Sequence, residues 1–158
     1  MPSALPRRRA RSALLITVVV AALITGCGHT TTRKDVIARA NAICFSAQQA
    51  VRSIASPGGV TDTKALAAYF DKVTPIVAKE ARQLSALPRP KQRQGILNHY
   101  VAAVGASVAE YHAAARAATA GDGGGVTQAL AELQSNSATR YARAYGLTQC
   151  TGSAKAAA

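Results

Sequence analysis

The sequence predicts an all-α protein, an up-down antiparallel four-helix bundle with a kinked second helix. Alanine, the strongest helix former, dominates the composition. Aromatic residues are scarce, with five Tyr, two Phe and no Trp, and β-branched residues do not alternate with polar ones as strands require. Apolar residues instead recur at spacings of three and four in four segments separated by Gly and Pro. The short connections between these segments favour antiparallel neighbours.

The chain opens with a different kind of segment. Arg7, Arg8, Arg9 and Arg11 precede an apolar run over 13–24 that only Thr17 interrupts. Twelve helical residues reach about 18 Å, against the ~30 Å of a bilayer core. The run therefore suits the apolar core of a signal peptide better than a membrane span. It ends Ile24-Thr25-Gly26-Cys27, which resembles the lipobox of bacterial lipoproteins: aliphatic, small, Gly or Ala, then Cys. That resemblance implies a diacylglyceryl thioether on Cys27 and cleavage before it. Residues 1–26 are then a removed signal, 27–32 a tether, 33–150 the helical domain and 151–158 a disordered tail. The implied location is the outer face of the cytoplasmic membrane. An ordinary secretory peptide and a retained anchor helix are the alternatives.

The mature chain carries fifteen basic residues against seven acids, net +8. They are spread singly, without the run of like charges that marks a nucleic-acid tail. No nucleic-acid partner is expected. A solvated basic surface is the plain reading; an envelope protein or an anionic wall polymer is the partner that such a charge would suit.

The first helix is expected over 33–54, with Ile37, Ala40, Cys44, Ala47, Val51 and Ile54 as its apolar stripe. Ser56-Pro57-Gly58-Gly59 ends it. The second begins at Thr61 or Asp62 as N-cap and runs to about residue 87, with Leu66, Tyr69, Phe70, Val73, Ile76, Val77 and Leu84 on its core face. Pro75 removes a backbone donor and predicts the kink. The third is expected over 90–120, with Pro90 in its first turn. Leu97, Val101, Val104, Val108, Tyr111, Ala115 and Ala118 form its heptad. Gly105 offers room for a close helix approach, and Tyr100 and Tyr111 share a face.

Residues 121–125, Gly-Asp-Gly-Gly-Gly, are expected to stop this helix and form a flexible linker. With no preceding strand and no following Lys-Ser/Thr, they are not a phosphate loop. The fourth helix is expected over 126–145, with Val126, Leu130, Leu133, Ser137, Tyr141 and Ala144 on its stripe and Gly146 closing it.

With Cys27 lipidated, Cys44 and Cys150 remain. An even pair on an exported chain favours a disulfide; two buried free thiols are the alternative. Paired carboxylates, a Cys/His pair, H-E-x-x-H and a serine elbow are all missing from the sequence. No cofactor, no metal and no catalytic residue is expected. An enzyme would need a titratable cluster, with His99 or His112 its nearest candidates, but these lie on different sides of the third helix.

The order Asn41-Ala42-Ile43-Cys44, Ala68-Tyr69, Thr74-Pro75-Ile76, Leu84 to Pro90, Ala120-Gly121-Asp122 and Tyr141 to Cys150 resembles a group of small exported actinobacterial proteins. The resemblance covers about residues 35–150. It supports the helical bundle and the pairing of Cys44 with Cys150, and it implies no activity. The expected function is a non-enzymatic interaction module at the cell envelope, for which an exposed apolar stripe would be the sign. The other reading is a carrier or sensor of a small apolar ligand between the second and third helices, lined by Tyr69, Phe70, Tyr100 and Tyr111.

Overall fold

The structure, a computed structural model, describes residues 31–59 and 61–152. The expected signal, the expected lipidation site Cys27 and the last six residues of the expected tail lie outside the described residues. Within them the chain is all-α: α1 (Arg33–Arg52), α2 (Thr63–Ser85), α3 (Gln94–Thr119), α4 (Gly123–Ser135), α5 (Ala138–Tyr145) and one 3-10 turn (Gln149–Thr151). α3 is the central element, packing against α2, α4 and α5, while α1 packs against α2 and the 3-10 turn.

α1 starts where a capping box starts it. The Asp35 amide donates to the Thr32 hydroxyl at 3.2 Å, and the Thr32 amide donates to the Asp35 carboxylate at 2.9 Å. Such caps stabilise a helix by roughly 1 kcal/mol. Its buried face is Val36, Ala40 and Cys44, so Val36 takes the inward position expected of Ile37. α2 begins at Asp62, whose carboxylate accepts from the Ala65 amide at 2.9 Å, as the sequence suggested. Pro75 lies inside it without ending it.

α3 begins four residues later than expected. Pro90 does not enter it; residues 91–93 form a turn, and Arg93 adopts a left-handed conformation at φ 57°. The Arg93 guanidinium donates to the Ala144 carbonyl at 2.6 Å, a tertiary bond that favours the turn over another helical residue. Tyr100 is buried where the heptad placed Val101. Gly105 faces open space, with nothing within 4 Å of the position a Cβ would take. No close helix approach uses it.

Residues 121–125 are not a linker. Gly121, at φ 72°, closes α3, with the Asp122 amide reaching back to the Ala117 carbonyl at 2.9 Å. The Asp122 carboxylate then accepts from the Gly125 amide at 2.9 Å, so the three glycines form the first turn of α4. A Cβ on Gly125 would meet the Ala117 Cβ at 3.1 Å. The glycine lets α4 start hard against the end of α3.

The expected fourth helix is two helices. Asn136, at φ −60° and ψ 135°, breaks it, and the cause is visible in the burial. Ala142 follows Leu133 by nine residues, which in one straight helix would turn it about 180° away. The break lets Val126, Ala129 and Leu133 of α4 and Ala142 and Tyr145 of α5 all face inward. Gly146, at φ 98°, closes α5 as expected.

The interior forms two apolar clusters. One joins Val36, Ala40 and Cys44 to Leu84, Leu97, Tyr100, Tyr145, Leu147 and Cys150. The other joins Leu66, Phe70, Val73 and Val77 to Tyr111, Ala114, Val126 and Leu133. Three arginines are tied to the ends of helices. Arg89 donates to the carbonyls of Leu87 and, at 3.1 Å, Ser85. Arg33 donates to the Tyr145 carbonyl and Arg93 to that of Ala144. Cations at helix C-termini satisfy free carbonyls and oppose the macrodipole, so part of the positive charge is structural.

Candidate functional site

The inward stripe of α2 reads Leu66, Phe70, Val73, Val77, then Glu80, then Leu84. Glu80 occupies a core position at the seam between the two apolar clusters. It is 4% exposed, and among the described residues its carboxyl has no hydrogen-bond partner. Burial raises its pKa from the ordinary carboxylate range to about 7. Its negative charge in turn adds to burial in raising the Tyr100 phenol. Tyr111 is pushed up to about 12, mainly by burial, with Tyr69 and Glu80 adding to it.

Glu80 borders three spaces: two share Val77, Glu80 and Tyr111 as a common wall, and a third, about 330 Å³, has Ala47, Lys79 and Glu80 in its lining. The larger of the first two, about 340 Å³, lies between α1 and the α2–α3 pair. Ala47 and Val51 of α1 and Ile54 beyond it form one side, and Tyr69 forms part of the other. Gln48, Arg52, Ser56 and Gly152 also line it; Arg52 is exposed, so its charge stands in solvent. The volume falls in the range of roughly 300–1,000 Å³ common for small-molecule sites. The smaller, about 50 Å³, extends toward the α4–α5 junction past Tyr100, Ser107 and Asn136.

The expected tyrosines are divided between these spaces. Tyr69 and Tyr111 line the larger cavity; Tyr100 and Tyr111 line the smaller. Phe70 lines neither. It is 1% exposed and packs edge-on against Tyr69 and Tyr111, with ring centroids 5.7 and 6.3 Å away. These contacts fill the space between α2 and α3, so the larger cavity opens toward α1 and not between the second and third helices.

Cys44 and Cys150 stand at disulfide distance, Sγ–Sγ 2.08 Å and Cα–Cα 5.1 Å. The Tyr100 hydroxyl lies 3.4 Å from the Cys44 sulfur. A bridged sulfur has no proton, so the hydroxyl is the donor. The 3-10 turn that carries Cys150 is held to α1 by further bonds. The Gln149 amide donates to the Asn41 side chain at 3.0 Å, and Gln48 donates to the Gln149 carbonyl.

His99 and His112 form no cluster. Both are exposed, and His99 stacks on Tyr141 at 5.2 Å. Among the described residues no group of three His, Cys, Asp or Glu side chains is placed to hold a metal. No helix among them is long and apolar enough to cross a membrane.

Glu80 is the site residue that sequence reasoning passed over. The signal was present: position 80 continues the spacing from Val73 and Val77 to Leu84, and an acid on that spacing is an acid in a core.

Comparison with protein-family models, with curated proteins and with solved structures gives no match for this chain. Its functional reading therefore stands on its own geometry.

Proposed function

We propose that this chain is a lipid-anchored, extracytoplasmic, non-enzymatic binding module that holds a small, largely apolar ligand in the cavity between α1 and the α2–α3 pair. The anchor is Cys27, on the lipobox pattern Ile24-Thr25-Gly26-Cys27. In this reading the helices run up and down, with the second bent at Pro75, which lies inside α2. The observation that carries the reading is the cavity itself: about 340 Å³, with Ala47, Val51, Ile54, Tyr69 and Val77 on its walls. Small-molecule sites combine apolar walls with a limited set of polar groups, here Gln48, Arg52, Ser56 and Glu80.

The interaction-module reading would need a broad apolar surface. Among the described residues Phe45 is the one large hydrophobic side chain that is exposed, and a single such residue is ordinary. The cavity therefore outweighs the surface.

Native mass spectrometry of protein extracted from its own membranes tests the reading. The wild type is expected to retain a small molecule above the mass of the diacylated chain beginning at Cys27. Ala47→Trp, which fills the cavity from the α1 side, is expected to lose it. Identical unliganded masses for both proteins would sink the ligand reading, and an unlipidated chain would sink the anchor.

A further inference from the structure

We infer that the ligand is a monoamine with an apolar body, its ammonium paired with the Glu80 carboxylate at the inner wall of the cavity. This rests on the cavity reading above and names the chemistry of its occupant. Glu80 is 4% exposed, borders both cavities and the third space that Lys79 also lines, and has no hydrogen-bond partner among the described residues. The enclosed, unpartnered polar atoms among the described residues are on Arg33, Thr74, Glu110 and Tyr145 and not on Glu80, so the Glu80 oxygens reach open space; a carboxylate largely withdrawn from water is costly, and a bound cation offsets that cost. Among the described residues the only basic side chain lining the larger cavity is Arg52, and Lys79 lines a third space together with Glu80. Arg52 at the cavity and Lys79 beside Glu80 on α2 are both exposed. Tyr69 and Tyr111 add aromatic rings to the same walls, surfaces that attract a desolvated ammonium.

Competing chemistries fit less well. A carboxylate ligand would set two like charges together in an apolar space. A neutral alcohol would leave an ionised Glu80 unpaired. A second ammonium on the ligand would meet Arg52.

The proton balance follows from the groups around Glu80. Tyr69 of α2 and Tyr100 and Tyr111 of α3 are all raised above the ordinary phenol value, so they stay neutral across the physiological range. The bridged cysteines do not titrate. Below about pH 7 the free protein carries the Glu80 proton. Binding an ammonium expels that proton to solvent, so affinity falls as pH drops below 7. Above it, affinity is level until the amine itself deprotonates.

Titration calorimetry of the full chain with 2-phenylethylamine, 2-phenylethanol and 3-phenylpropionate, from pH 5.5 to 8.5, tests this. At pH 8 the amine is expected to bind at least tenfold more tightly than the alcohol. Its affinity should fall up to tenfold per pH unit below 7, with up to one proton released per amine in buffers of differing ionisation heat. Glu80→Gln should erase the amine preference and keep alcohol binding. Equal binding of amine and alcohol, or an amine affinity independent of pH in the wild type, overturns the inference. If the alcohol binds without amine preference and Ala47→Trp blocks it, the cavity reading survives alone. If none of the three binds, both fall. The wild-type pH series decides the matter even where the Gln variant folds poorly.

Discussion

Glu80 shows how much one side chain can set at the residue scale. Its pKa stands at about 7 in the folded chain against an ordinary value of 4.5, so the folded state holds its proton more tightly than the unfolded state does. The contribution of Glu80 to stability is then greatest below about pH 4.5, falls as pH rises toward 7 and is level beyond. The full swing is on the order of 3 kcal/mol. Glu80→Gln should flatten this slope and raise the urea midpoint at pH 8, where the wild-type carboxyl is ionised. A midpoint unchanged at pH 8 would mean that the carboxylate already has a partner. The stability that Glu80 gives up at neutral pH is what a site residue, and not a packing residue, would be kept for. Its position was legible from the spacing of α2. Its isolation was not, because the absence of a donor depends on where Tyr100 and Tyr111 of α3 come to rest.

Elements show a different balance between sequence and structure. The caps at Asp62 and Gly146 were legible because each acts within its own turn. The break of the fourth helix was not, because Asn136 acts across the molecule. Its side-chain amide donates to the Ala103 carbonyl at 3.0 Å and to the Ser107 hydroxyl at 3.1 Å on α3. Its oxygen accepts from the Ala138 amide at 2.8 Å and so starts α5. A propensity scale sees only a residue tolerated in helices. Asn136→Ala should remove these bonds and lower stability by about 1–3 kcal/mol, read as a drop in the thermal midpoint by circular dichroism. An unchanged midpoint would assign the break to the packing of Leu133 and Ala142 alone. The glycines of 123–125 misled for a related reason: composition suggested a flexible linker, whereas Asp122 and the close approach to Ala117 fix them as a helical turn.

Across the whole molecule the two apolar clusters share α2 and α3 and differ in their other partners. The cluster around Tyr145 takes α1, α5 and the segment after it, whereas the cluster around Phe70 takes α4. The all-α class was legible from composition and periodicity alone. The site was half legible: the tyrosines were found, but the cavity between α1 and α2 depends on how Phe70 fills the α2–α3 contact. Cys44 and Cys150 join the ends of the first cluster across 106 residues of sequence. Chain entropy credits a loop of this length with roughly 4–5 kcal/mol, often less in practice. Cys44→Ser with Cys150→Ser should lower the thermal midpoint by several degrees or more. An equal midpoint for the two proteins would mean that Gln48 and Asn41 hold the 3-10 turn without the bridge. The same bridge has a mechanical consequence. A load applied between Thr32 and Gly152 would pass through α1, the disulfide and the last residues of the 3-10 turn. The helices between the cysteines would stay outside the load path. With the bridge cut, the same pull could draw out on the order of 370 Å of chain from those 106 residues.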